Sequence, residues 1–273
     1  MKLSFSTLAC PDWTWTEVQA TAVELGYQGV ELHGSKHELF LPSAAPFLPK
    51  QLPRTKQQLD KIRLQISALS TGALLQTGEA GQRKAYLEEV KAYIKLAAEL
   101  GVDYVLVRGD QEAGPGGEVS DQLVLDALME LGDFAIDHGV YVLIKTNGVY
   151  TDTARLAALQ ERLDHPAVGV AWDVHHTYRF GKESFAETWG RLQGQIKYIQ
   201  LKDSIWDGER VQYRLFGEGD LPFAELLTLL HGGYQGWFAF EWNKLREPAL
   251  EGPSLAIPHF ICAFRRLQKK VAR

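Results

Sequence analysis

Long hydrophobic runs are missing from this chain of 273 residues. No stretch approaches the ~18 consecutive apolar residues of a membrane-spanning helix, so neither a helical membrane protein nor a membrane partner is expected. Cysteine is scarce as well. Cys10 and Cys262 stand at opposite ends without a metal-type spacing, which argues against a disulfide framework and for a reduced, cytoplasmic protein. The opening residues, MKLSFSTLAC, are interrupted by hydroxyls and stopped by Pro11, too short and polar for a secretion signal. Positive charge is not in excess: 29 Lys and Arg against 34 Asp and Glu give −5. With no basic stripe, a nucleic-acid partner has no electrostatic support. No proline-rich or low-complexity linker divides the chain, so one domain over 1–273 is expected. At 45% hydrophobic and 23% charged, the composition excludes a disordered polymer.

What the chain does have is alternation. Strand-like runs occur at 2–8, 28–33, 65–70, 103–108, 140–146, 168–173, 196–203 and 236–242. Most are near-continuous apolar runs, as parallel strands covered on both faces require. Amphipathic helical segments lie near 15–25, 51–64, 82–100, 118–138, 152–163, 184–194, 221–231 and 254–270. Gly26, Gly101, Gly139 and Gly236 mark helix ends, and Ser120-Asp121 and Thr151-Asp152 mark helix starts. Eight such units give about 34 residues each, the norm for a closed (β/α)₈ TIM barrel of the α/β class. An open doubly wound sheet would show a Gly-rich phosphate turn after its first strand, and Cys10-Pro11-Asp12-Trp13 is nothing of the kind.

In such a barrel chemistry collects where strands end. The polar residues there are Glu31 and His33 on strand two, Arg108 on strand four, and Lys145 and Asn147 on strand five. Strand six supplies Asp173 with His175 and His176, strand seven Gln200, Lys202 and Asp203, and strand eight Glu241. A single ionisable group at a strand end is usually a satisfied rim residue. A convergent set from several strands points to a ligand pocket, because ionisable groups are costly to bury without partners.

Four motifs in order carry a resemblance: Val170-Ala171-Trp172-Asp173-Val174-His175-His176, Tyr198-Ile199-Gln200-Leu201-Lys202-Asp203, Leu215-Phe216-Gly217-Glu218-Gly219-Asp220 and Phe240-Glu241-Trp242. With Gly26-Tyr27-Gln28-Gly29-Val30-Glu31-Leu32 at the start, the chain resembles the sugar phosphate isomerase/epimerase family, the xylose isomerase-like TIM barrels. That family includes keto-sugar epimerases, inosose dehydratase-like enzymes and hydroxypyruvate isomerase-like proteins, so the resemblance implies sugar or polyol chemistry without naming a substrate. It also implies a divalent metal held by Glu, Asp, His and Glu on strands five to eight. Asp173 and Glu241 match two of these positions. Lys145 stands where the strand-five Glu is expected, and Gln200 where the strand-seven His is expected.

These departures change the chemistry. Three carboxylates, an imidazole and a 2+ ion sum to −1; two carboxylates and one ammonium also sum to −1, without a metal. A unit charge pair at about 4 Å is worth about 4 kcal/mol at an effective dielectric of about 20, so Lys145 would repel a divalent ion on twice that scale. The expectation is therefore no cofactor, with Lys145 replacing the cation. Glu241 then serves as base and Lys145 polarises a carbonyl or donates a proton, with Asp173 completing the catalytic group. His176, His33, Gln200, Lys202, Arg108 and Trp206 are expected to bind substrate. Each has a structural alternative. His176 and His175 can pack or orient, and Lys202-Asp203 can be an internal ion pair. Arg108 can bind an anion or brace the rim, and Trp13, Trp15 and Trp206 can stack on sugar rings or form lids. Gly114-Pro115-Gly116-Gly117 reads as a flexible loop, since no Lys-Ser/Thr follows to make it a phosphate cradle. Three functions compete: an isomerase/epimerase-like enzyme, a non-catalytic carbohydrate-binding barrel, and a Lys145-dependent lyase or aldolase. The expected partner is a small sugar or polyol, and barrels of this kind often form homo-oligomers.

Overall fold

The computed structural model describes residues 1–271. Eight parallel strands close on themselves: β1 (Lys2–Ser6), β2 (Gly29–Leu32), β3 (Gln65–Leu74), β4 (Tyr104–Arg108), β5 (Tyr141–Lys145), β6 (Val168–Asp173), β7 (Ile196–Leu201) and β10 (Trp237–Phe240). Closure comes from β1, whose Lys2 to Phe5 pair with Trp237 to Phe240 while Ser4 to Ser6 pair with Gly29 to Glu31. The remaining two strands, β8 (Asp203–Trp206) and β9 (Val211–Arg214), form an antiparallel hairpin beyond the barrel. It has no counterpart in the sequence reading, which ran strand seven through to Asp203.

The helices wrap the outside: α1 (Trp15–Leu25), α2 (Leu52–Ile62), α3 (Ala80–Leu100), α4 (Asp121–Ile136), α5 (Thr153–Leu163), α6 (Val174–Arg179), α7 (Phe185–Leu192), α8 (Phe223–Leu229) and α9 (Pro253–Val271). Their ends follow local chemistry. Ser120 accepts from the Leu123 N–H to cap α4, and Asp152 accepts from Ala154 and Arg155 to cap α5. Gly26 and Gly101 close α1 and α3 at φ of 76° and 73°, the left-handed region where a side chain is disfavoured.

Side-chain alternation along each strand divides the core in two. Outward residues such as Val105, Val142, Ile144, Val170, Trp172, Phe238 and Phe240 pack against the helices in the larger apolar cluster. Inward residues form a small one, including Ala68, Leu106, Leu143, Ala171, Tyr198, Trp237 and Ala239. Counting by twos along each strand places Glu31, Arg108, Lys145, Asp173, Gln200, Lys202 and Glu241 on the inward series at the carboxyl ends. The fold thus gathers one polar residue set at one mouth of the barrel. Among the described residues no helix is long and apolar enough to cross a membrane.

Candidate functional site

The centre of the mouth is a closed quartet of charges. Asp173 ends β6, Lys145 ends β5, Lys202 follows β7 and Glu241 follows β10. Lys202 Nζ donates to Asp173 Oδ2 and to Glu241 Oε1, each at 2.5 Å. Lys145 Nζ donates to Glu241 Oε2 at 2.5 Å and lies 3.1 Å from Asp173 Oδ2. Each ammonium therefore bridges both carboxylates. Lys202 is 2% exposed and Asp173 fully buried. Burial alone would push Asp173 up, but the His176 ring and the ammonium groups of Lys202 and Lys145 outweigh it and hold it well below the usual range. Glu241 is likewise lowered against its burial, chiefly by Lys145 and Lys202. Burial works against the charge of Lys202 too, yet Asp173 and Glu241 raise its pKa.

This removes one structural alternative for Lys202 and changes the charge sum. Lys202 does not pair with Asp203. It joins the quartet, which is neutral rather than −1. Asp203 instead accepts backbone N–H groups of Ser204, Gly217, Gly219 and Leu221, tying the hairpin to the loop that follows it.

A cavity of ≈ 620 Å³, counting its open mouth, lies above the quartet. Lys145, Lys202, Glu241, His176, His33 and Arg108 line it. His176 is kept neutral by burial, with its pKa lowered to about 3. Its Nδ1 sits 3.2 Å from Thr146 O, so the Nδ1–H tautomer leaves Nε2 as an acceptor. His33, lowered by burial to about 4, meets Ser70 Oγ through Nδ1 at 3.1 Å. Arg108 donates to the carbonyls of Gln111 and Gly72.

Gln200 and Trp206 are not brought into this cavity. Gln200 lies beneath it and donates from Nε2 to Glu31 Oε2 at 2.8 Å. The side-chain period places it one layer below Lys202. Trp206 is 53% exposed at the end of β8, carried outward by the hairpin. Trp13 and Trp15 line an adjoining cleft that shares His33. His175 is a packing residue, with Nε2 2.9 Å from Ser204 Oγ and its ring against Tyr213. Sequence reasoning missed Tyr213, Asn243 and Arg246, which also line the cavity. Tyr213 sits in the short polar strand β9, and Asn243 and Arg246 in the loop after β10. Glu31, named at a strand end but given no role, is 1% exposed, and burial and the charge of Glu241 push its carboxyl up to about 7.

A divalent cation does not fit this donor set. At about 4 Å and an effective dielectric of about 20, such an ion gains about 8 kcal/mol from each carboxylate and loses about as much to each ammonium. Asp173, His175 and His176 place three donor atoms within 4.8 Å of one another. There too, both lysine ammonium groups hold the Asp173 Oδ2 atom.

The profile of the xylose isomerase-like TIM barrel family matches residues 19–257, and the chain belongs to that family. Over 167 residues it is 29% identical to the 3-dehydroshikimate dehydratase of Pseudomonas putida, covering 57% of this chain and 26% of that enzyme. The chain thus spans about a quarter of that relative's length. The fructoselysine 3-epimerase of Shigella flexneri is 23% identical over 247 residues, 84% of this chain and 86% of the epimerase. Among solved structures, the IOLI protein with a bound zinc atom shares the fold with a TM-score of 0.81 at 17% identity, over 99% of each chain.

Proposed function

We propose that the protein is a sugar or polyol isomerase/epimerase-type enzyme acting beside a carbonyl, with lysine ammonium groups in place of a metal. The observation that carries this reading is the quartet: two ammonium groups, Lys202 buried and Lys145 half-buried, each bridging Asp173 and Glu241 beneath the cavity. Two fixed N–H donors aimed at one point stabilise the oxygen of an enediolate, the charge that develops when a proton leaves the neighbouring carbon. In the resting site Glu241 is a poor base, because the ammonium groups lower its pKa. A carbonyl oxygen that takes over those donors releases Glu241 from them, and its basicity rises as substrate binds. Glu241 then takes the proton next to the carbonyl, and Lys145 protonates the enediolate oxygen and recovers a proton from the neighbouring hydroxyl. Return of the Glu241 proton to the other carbon gives the isomer. An epimer requires Lys145 to give its proton to the opposite face of the same carbon, after which Glu241 and Lys145 regain their starting protonation through solvent. Asp173 holds both lysines in place, and His176 Nε2 accepts a substrate hydroxyl.

Elimination of a neighbouring hydroxyl is the second reading, favoured by the likeness to a dehydratase; it begins with the same proton removal. A Schiff base at Lys145 would have to break contacts to two carboxylates, which weighs against a lyase.

The test is solvent-deuterium exchange by NMR on a panel of ketoses and cyclic keto-polyols, with and without EDTA. Exchange next to the carbonyl that survives EDTA, and falls at least ~100-fold in Glu241→Gln, is the expected result. Turnover only with added divalent metal overturns the metal-free reading. Ligand-induced thermal stabilisation without exchange overturns catalysis in favour of a binding barrel, and borohydride inactivation at Lys145 establishes the lyase.

A further inference from the structure

Elsewhere on the surface Arg83 and Arg265 brace the fold through backbone carbonyls, whereas three others find carboxylates: Arg155 pairs with Asp121, Arg179 with Asp220 and Arg191 with Glu183. Two arginines at the cavity mouth do not. Arg108 makes only the contacts to the carbonyls of Gln111 and Gly72, at 3.3 and 3.2 Å, and its Nε is buried without a partner. Arg246, exposed on the loop after β10, makes no side-chain hydrogen bond or ion pair among the described residues, yet lines the same cavity. Of the carboxylates whose charge acts on Arg108, Glu241 is already held by Lys145 and Lys202, and Glu89 accepts the Gly72 N–H.

Charge arithmetic points the same way. With the quartet neutral, Arg108 and Arg246 line the cavity against Glu112, a surplus of one positive charge in a chain whose net charge is −5. Burial, and then the neighbouring charge of Arg246, lower the pKa of Arg108. Two like charges left facing each other are relieved by an anion between them, and the planar guanidinium fork matches a carboxylate or a phosphate.

We propose that Arg108 and Arg246 form an anion subsite at the cavity mouth, so that the substrate carries a carboxylate or phosphate remote from its reacting carbonyl. The inference rests on the reading of the cavity as a polyol site and names the class of polyol. The quartet engages the carbonyl end, and the arginines engage the charged end and fix which way round the substrate lies.

Four probes test it by calorimetry and thermal shift at low and high salt: inorganic phosphate, D-fructose, D-fructose 6-phosphate and 5-keto-D-gluconate. One or both anionic ketoses should bind wild type at least ~10-fold tighter than fructose, with the advantage shrinking as salt rises. Arg246→Gln, at an exposed position that does not threaten folding, should bring that advantage within ~2-fold, and so should Arg108→Gln. Preference for the phosphate ester identifies phosphate as the recognised group, and preference for the keto acid identifies carboxylate. Equal binding of charged and neutral ketoses overturns the subsite while leaving the polyol reading intact. So does an Arg246→Gln variant that weakens fructose as much as the anions. Inorganic phosphate that stabilises wild type but not Arg246→Gln, with no ketose bound, upholds the subsite and sinks the polyol reading instead.

Discussion

Replacing Lys202 by methionine removes one ammonium from the quartet and keeps most of the side-chain volume. The lysine is 2% exposed and donates to two carboxylates at 2.5 Å. Lys145 then remains as the one ammonium between Asp173 and Glu241. Breaking a buried pair from one side costs about 3–5 kcal/mol, because the partner stays buried with its charge uncompensated. At about 2–4 °C per kcal/mol for a domain near this size, Tm should fall by about 6–20 °C at pH 8. The pH dependence identifies the cause. In wild type, Asp173 and Glu241 are lowered, so their contribution is present above the ordinary carboxylate range and lost as pH falls through their folded values. Lys202 is raised, so its contribution is present below the ordinary lysine range and lost only at more alkaline pH. Wild type is therefore level in these contributions across neutral pH. In the variant one carboxyl is pushed up by burial, and protonating it relieves the penalty. The deficit should be largest at pH 8 and narrow toward pH 5 in scanning calorimetry. A loss below about 2 °C, or a deficit equal at pH 5 and pH 8, would refute the account of Lys202 as a charge partner.

Three further variants probe the layer below and the exclusion of a cation proposed above. Glu31 is raised from 4.5 to about 7 by burial and the charge of Glu241, so wild type should lose stability as pH rises between those values. Glu31→Gln should flatten that slope and gain up to about 3 kcal/mol at pH 8, and the same dependence of unfolding free energy on pH in both proteins, from urea titrations across that pH range, would contradict it. The double change Lys145→Glu with Gln200→His should still ignore Mn²⁺, because Lys202 keeps its place between the carboxylates. Adding Lys202→Gln should give metal-dependent stabilisation of about 2.7 kcal/mol at a hundred times Kd, and a double variant that responds to Mn²⁺ on its own would show that Lys202 is no barrier.

Much of the barrel was legible because its two periods are plain. Apolar strand runs alternate with amphipathic segments, and helix starts such as Ser120 and Asp152 carry their own caps. The polar set was read from where the apolar strand runs stop; counting by twos puts that set on the inward face, where Lys145 meets Asp173 and Glu241. The same count separates Gln200 from Lys202 by one layer. Yet sequence order gives no hint that a long lysine reaches across to β10 while a shorter glutamine turns down to Glu31. The hairpin was missed because its run, Asp203 to Arg214, is polar and half-exposed; tertiary anchoring through Asp203 holds it, not a hydrophobic pattern. Arg246 carries no periodic signal at all. It stands out only once the loop after β10 is seen to pass over the mouth.

The quartet has a consequence for kinetics. Its charges cancel within a few ångströms, so its field dies away with distance far faster than that of a lone ion. An anion more than about 8 Å off in physiological salt senses little of it. What reaches outward is the unpaired charge of Arg108 and Arg246 at the rim. Encounter and conversion then answer to different variables. For the anionic ketose proposed above, rising ionic strength should slow arrival and lower kcat/KM, while kcat, set among groups that counterions cannot reach, should stay level.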